Sequence, residues 1–299
     1  MKNVYIRDNN SILKISIKYF IALIPLIIYG FYKNGIHLYQ KGLTSMFGMF
    51  KPLLFIITGI IIGGLVNILY EKIIKKNKNN IIENLFSSFH ILYGLIISCL
   101  LSINANYFIF VIITFTILLL SKIFNIKSIN LIALTTLIII LLTYIFGDFT
   151  YLNLYESNTI LNLNAVDYLI GRGSGGIATT FISGLIFSLI ILLTEKTYKS
   201  EIPLYSISTF TILIIIYSVY KSNIANIFEI LFTNGILFSL IFVAPDSLSS
   251  SYTKIGKIIY GLLTGILTFS LYLINPTFAC LGAILISSIL SSVIDVKFE

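Results

Sequence analysis

Long apolar segments, separated by shorter polar ones, follow one another along almost the entire chain. A transmembrane helix needs about 20 mostly apolar residues, because each residue rises about 1.5 Å and the hydrocarbon layer is about 30 Å thick. Runs such as Ile-Ile-Thr-Gly-Ile-Ile-Ile lack the two-residue alternation of a membrane β-strand, so the pattern favours helices. The pattern predicts about ten spans, over residues 13–31, 53–69, 91–103, 107–120, 131–146, 180–193, 205–219, 227–243, 258–273 and 278–294.

The composition supports this class of protein. Apolar residues make up 57% of the 299 residues and charged residues only 11%, against a usual charged share of about 25%. So few charges cannot cover the surface of a soluble domain, and a disordered chain needs the opposite composition. Cys99 and Cys280 lie singly inside apolar runs, which excludes a disulfide scaffold. The sequence therefore predicts an all-α polytopic membrane protein.

The positions of Lys and Arg predict the orientation of the spans. With a cytoplasmic N-terminus and ten spans, fifteen of the twenty basic residues fall in cytoplasmic segments and five in external ones. Because basic residues are retained in the cytoplasm, we expect a multi-pass protein of the inner (plasma) membrane with both termini cytoplasmic. The basic residues are scattered over short loops, so nucleic-acid binding is not expected. The five external ones are Lys33, Lys41, Lys51, Arg172 and Lys221.

The longest polar segment, residues 147–179, separates five predicted spans from five others. We expect one transmembrane domain over residues 1–299, with a first helical half over 1–146, an external loop over 147–179 and a second half over 180–299. The division fits two five-helix inverted repeats, a common plan in membrane proteins. No clear self-similarity at the residue level accompanies it. A loop of this length in a compact protein is often functional.

A glycine-rich stretch at the end of this loop is the strongest candidate site. It reads Gly-Ser-Gly-Gly-Ile-Ala-Thr-Thr over 173–180, and a helix is predicted to begin at about Thr180. Glycines let backbone amides approach an anion, and a helix N-terminus offers free N–H groups to a phosphate. The Thr180 hydroxyl is expected either to cap this helix or to carry a phosphoryl group. An ordinary glycine turn before a helix explains the same pattern.

Other residue types predict no catalytic or metal site. His37 and His90 have no Cys, His or carboxylate at metal-ligand spacing. P-loop, GxSxG and HExxH motifs are missing from the sequence. Acidic residues are nearly absent from the predicted spans, which disfavours a proton-relay transporter.

Four stretches resemble the RnfD/NqrB family of membrane subunits, and RnfD more closely. Each stretch is similar to a family motif: Ile21-Ala-Leu-Ile-Pro25 to the first-helix run, Gly94-Leu-Ile-Ile-Ser98 to a later helix, Phe242-Val-Ala-Pro-Asp246 with the following Lys254, Gly256 and Tyr260-Gly261 to "FMATDPVTSP…KGQLIYG", and Val293-Ile-Asp295 to the closing "LID". The family belongs to ion-pumping redox complexes, the ferredoxin:NAD⁺ oxidoreductase Rnf and the Na⁺-pumping NADH:quinone oxidoreductase. The resemblance implies a translocase subunit that helps to couple ferredoxin:NAD⁺ electron transfer to Na⁺ or H⁺ transport, with the other Rnf subunits and the lipid bilayer as partners.

The resemblance also implies a covalent flavin. In many RnfD proteins a "GSIGETS" stretch carries FMN on its Thr through a phosphoester, and the residues over 175–180 are similar to it. The likeness places Thr180 at the flavinylated position, with Thr179 as the reserve. An Ile-Pro pair lies about 22 residues beyond that Thr in the family, and Ile202 stands there in this chain. The same likeness assigns the phosphate turn to Gly173, Ser174, Gly175 and Gly176 and charge balance to Arg172, for which an ordinary loop role is the alternative.

Several positions depart from the family pattern. Thr179 stands where the family often has Glu, Phe181 where it has Ser, and Ser247 where it has Pro. These departures bear most on a second, non-covalent flavin that the resemblance also implies. They leave two alternatives open: a transporter or channel without redox chemistry, and a family member that has lost its flavin.

The orientation can be tested with two reporter fusions. We expect a reporter fused after Asn77 to be cytoplasmic and one fused near Ser157 to be external, because the predicted loops on the two sides differ in basic residues. Activity of a reporter pair that works only in one compartment measures the side of each fusion. Finding both fusions on the same side would contradict the ten-span arrangement.

Overall fold

The computed structural model describes residues 9–76, 84–147, 151, 163–221 and 226–298. Much of the predicted external loop, together with Asn77 and Ser157, lies outside these residues. Within the described ranges the chain is helical and contains no β-strand. The prediction of an all-α polytopic membrane protein is confirmed.

The helices follow the predicted apolar segments closely. In chain order they are α1 (Asn9–Phe31), α2 (His37–Gln40), α3 (Met46–Met49), α4 (Lys51–Leu69), α5 (His90–Leu100), α6 (Tyr107–Ile123), α7 (Leu131–Phe146), α8 (Ala165–Ile170), α9 (Ile182–Leu193), α10 (Glu201–Tyr220), α11 (Asn226–Phe232), α12 (Ile236–Phe242), α13 (Lys254–Tyr272) and α14 (Ala279–Phe298). A π-helical turn, Tyr32–Ile36, joins α1 to α2, and another, Tyr70–Ile74, extends α4. Five continuous helical segments in the described ranges are long and apolar enough to cross a membrane, and α5, α6, α7 and α9 are shorter apolar helices.

Two predicted spans are shorter or broken in the structure. The span predicted over 91–103 ends as a helix at Leu100. The span predicted over 227–243 is wrong as a single helix, because α11 and α12 are separated by residues 233–235. Asn234 and Gly235 there have φ values of 56° and 68°, in the left-handed region that interrupts a right-handed helix. A window that averages hydropathy does not register a change of two backbone angles.

The two short helices form the centre of the molecule. Every residue of α5 is buried, and so are all but one of the seven residues of α12. At about 1.5 Å per residue these helices are only about 16 Å and 10 Å long, so their ends lie inside the protein. Glycines allow α4 to pack tightly on α5, because a Cβ on Gly63 would overlap the backbone carbonyl of His90.

Contacts between the halves join helices of the same rank. The first helices, α1 and α9, pack together, and so do the last helices, α7 and α14. The central helices α5 and α12 also touch. A two-fold axis brings equivalent surfaces together in this way, so the pattern favours the inverted repeat, which stays a prediction.

Candidate functional site

The glycine-rich loop between α8 and α9 passes the end of α5. The N–H of Ile177 donates to the carbonyl of Leu101 at 2.8 Å, and the N–H of Ala178 donates to the carbonyl of Cys99 at 3.1 Å. On its other side, the carbonyl of Ser174 accepts a 3.0 Å bond from the N–H of Asn234, in the break between α11 and α12. The loop therefore binds backbone groups that the two interrupted helices leave without helical partners.

The π-helical turn after α1 brings two polar side chains onto this loop. The Asn34 amide donates to the carbonyl of Ile177 at 3.0 Å. The Lys33 ammonium donates to Thr180 Oγ1 at 3.1 Å and to the carbonyl of Gly173. Lys33 is only 1% exposed. Single π-helical turns are frequent at functional sites, and an ionisable group inside a membrane protein is a candidate for function by default.

The two candidate threonines are buried but differ in their hydrogen bonds. Thr179 and Thr180 are each 2% exposed. Thr179 Oγ1 donates to the carbonyl of Gly176 at 3.4 Å, whereas Thr180 Oγ1 accepts from Lys33 and donates to no described residue. Helix α9 begins at Ile182, and Phe181 takes the N-cap position without a side-chain cap. Capping by Thr180, one of the two expectations for its hydroxyl, is therefore wrong.

The glycines of the loop are required by close packing. A Cβ on Gly176 would overlap the carbonyl of Leu100, and one on Gly175 would lie 2.7 Å from Thr180 Cγ2. A Cβ on Gly173 would lie 3.0 Å from Tyr168 Cδ1. These positions hold the backbone against its neighbours and against Thr180, which is compatible both with a phosphate turn and with a structural turn.

Arg172 takes a different place from the one expected for a phosphate partner. Its guanidinium donates to Asp167 Oδ1 at 2.6 Å, and its side chain is 46% exposed. The cation that contacts the Thr180 hydroxyl is instead Lys33, which the sequence pattern marks only as an external basic residue. The two residues are 147 positions apart, so spacing along the chain does not reveal the contact.

A second polar centre surrounds Asp246, just beyond α12. Its carboxylate accepts bonds from the Tyr93 hydroxyl at 2.8 Å and from the N–H and hydroxyl of Ser249 at 3.1 and 2.7 Å. Asp246 also lines a small cavity with Tyr19 and Tyr93. The hydrogen bonds from α5 and from its own turn tie the segment after α12 to the core.

Lys199 fastens the same segment from the connection between α9 and α10. Its ammonium donates to the carbonyl and the hydroxyl of Ser250, each at 2.8 Å, and lies 4.2 Å from the centre of the Tyr252 ring. Burial lowers the pKa of Lys199 from 10.5 to about 8, against the opposing effect of the Asp246 charge.

Metal-binding side chains do not gather in the described part of the chain. No three His, Cys, Asp or Glu residues there lie close enough together to hold a metal ion. His90 is bonded to the hydroxyls of Ser88 and Ser121 at 2.7 and 3.2 Å.

The fold and this loop define a polytopic membrane protein with a buried polar junction between its two halves. The chain belongs to the NQR2, RnfD, RnfE family, whose model matches residues 1–299. The predicted family is therefore confirmed.

Individual relatives match over a short segment. The chain is 40% identical over 67 residues to a subunit of the Na(+)-translocating NADH-quinone reductase of Chlamydia pneumoniae, which is 22% of this chain and 13% of that protein. It is 35% identical over 63 residues to the subunit of the same name from Chromohalobacter salexigens, which is 20% of this chain and 15% of that protein.

Lys199 should make the stability of the protein depend on pH. Because its pKa is about 8 in the folded protein and 10.5 ordinarily, the unfolded chain binds more protons between these values. Stability contributed by this group therefore rises with pH across that window and is lost as the pH falls back through it. We expect Lys199→Met to lose this part of the rise, measured as Tm in detergent at about pH 8 and about pH 10.

Lys196→Met is the matched control, since Lys196 is an exposed lysine of the same connection. It should keep the pH dependence of the wild type. The same slope in wild type and Lys199→Met would contradict the buried-lysine account.

Proposed function

We propose that this chain is the D-type membrane subunit of an Rnf-type electron transport complex. The observation that carries the proposal is the family match over the whole chain. In this function the chain works with other Rnf subunits in the bilayer and couples ferredoxin:NAD⁺ electron transfer to the movement of Na⁺ or H⁺. The relatives that match it are named as subunits of a Na⁺-translocating reductase, which supports a role in an ion-translocating redox complex.

The proposal includes FMN bound to Thr180 through a phosphoester. Esterification removes the hydroxyl proton, and Thr180 uses that proton in no hydrogen bond to a described residue. Thr179 does use its proton, toward the carbonyl of Gly176. Attachment at Thr180 therefore costs the loop no internal hydrogen bond, which supports Thr180 over the reserve position.

The residues around Thr180 fit a phosphate. Gly173 and Gly175 keep the neighbouring backbone free of Cβ atoms, and Lys33 supplies a hydrogen-bond donor at the ester oxygen. FMN, when bound, supplies the capacity to take up and release electrons one or two at a time. The chain itself would hold the phosphate at the junction of the two halves and exclude water from it.

The burial of Thr180 favours one competing function. A threonine only 2% exposed, bonded to a buried lysine, also suits a family member that has lost its flavin and acts as a transporter or channel without redox chemistry. In that protein the bond between Lys33 and Thr180 would serve only to fasten the loop.

The attachment site is tested by two threonine variants. With a flavin-transferring enzyme coexpressed, we expect Thr180→Ala to abolish covalent FMN, because it removes the only atom that forms the ester. Thr180 is not a helix cap, so the variant should still insert. Mass spectrometry of the tryptic peptide over 173–196 measures the modification.

Thr179→Ala is the matched control and should retain the flavin. An unmodified wild-type peptide under the same conditions would reject covalent FMN and favour the competing function. Modification that survives in Thr180→Ala but disappears in Thr179→Ala would move the site to the reserve position.

A further inference from the structure

Lys33 is a buried cation whose bonded partners are neutral. It is 1% exposed, and it donates to a backbone carbonyl and to the hydroxyl of Thr180. Within the described ranges it forms no ion pair with any Asp or Glu. The nearest turn of the loop offers no spare carboxylate, because Asp167 pairs with Arg172.

A charge in this position is costly to keep without a counter-charge. Removing an ammonium from water carries a large desolvation penalty, and neutral acceptors repay only part of it. Buried charges in membrane proteins are therefore almost always paired or functional. Lys33 contacts the hydroxyl that is proposed to carry a phosphate, and that phosphate would supply the missing anion.

We infer that Lys33 is the counter-charge of the phosphate on Thr180 and positions that phosphate in the finished site. The inference rests on the proposed function. A phosphodiester between threonine and FMN carries one negative charge, which matches the single charge of Lys33. An ammonium has three donors, and two are used among the described residues, so a third can bind a phosphate oxygen.

Asn34 provides a matched comparison on the same π-helical turn. It binds the same loop, through the carbonyl of Ile177 at 3.0 Å, but it is uncharged. Removing Asn34 therefore weakens the docking of the loop without altering the charge beside Thr180. A residue that only fastens the loop should affect the flavin-loaded and empty proteins equally, whereas a counter-charge should affect mainly the loaded one.

The experiment compares the full chain produced with and without the flavin-transferring enzyme. The variants are Lys33→Gln, whose amide retains donors but lacks the charge, and Asn34→Ala. Thermal unfolding in detergent gives the rise in Tm on loading, and mass spectrometry of peptide 173–196 gives the loaded fraction. We expect loading to raise the Tm of the wild type and of Asn34→Ala by similar amounts. In Lys33→Gln the rise should fall by at least half, or the folded protein should fail to load.

Other outcomes overturn the inference. Lys33→Gln that loads fully and keeps the wild-type rise in Tm would show that the charge is not needed. Lys33→Gln that cannot fold even when empty would show that Lys33 is a structural residue. A wild type that folds but does not load would instead reject the proposed function, so the two failures are distinguishable.

Discussion

Backbone groups inside a membrane protein need partners within the protein, and this constraint organises the whole structure. Each unpaired N–H or C=O in an apolar interior is costly. Helix α5 ends within the protein, and a break separates α11 from α12, so backbone groups are left over at the centre. The loop that approaches α9 binds both places, through the amides of Ile177 and Ala178 and the carbonyl of Ser174. Its glycines follow from this role, because they let the loop lie directly against the end of α5.

The junction built by these backbone contacts also gathers charge. The π-helical turn after α1 places Lys33 and Asn34 on the loop from the first half of the chain, while Thr180 comes from the second half. The site thus exists only when the halves are together. A redox group held there would lie where the two halves meet, as is common for sites built between repeats in membrane proteins. Burial keeps water away and strengthens the pairing of charges.

Much of the helical framework can be predicted from the sequence. The spans predicted over 107–120 and 131–146 correspond to α6 and α7, since long apolar runs bounded by Asn106 and Asn130 leave little freedom; each Asn caps its helix. The break between α11 and α12 escapes prediction because it depends on backbone angles at two residues within an apolar run. The glycine loop is recognisable in the sequence, but its packing against α5 depends on long-range contacts. The role of Lys33 is hidden because a lysine near the end of an apolar run usually reaches the interface.

The central claim is that one junction, with Thr180 and Lys33 at its centre, holds the phosphate of a covalent flavin. The most direct measurement is an electron cryo-microscopy map of the intact complex isolated from its native membrane. The account predicts continuous density from Thr180 Oγ1 into a flavin phosphate, with the Lys33 ammonium in contact with that phosphate. Density that ends at the Thr180 hydroxyl, still bonded to Lys33, would contradict it.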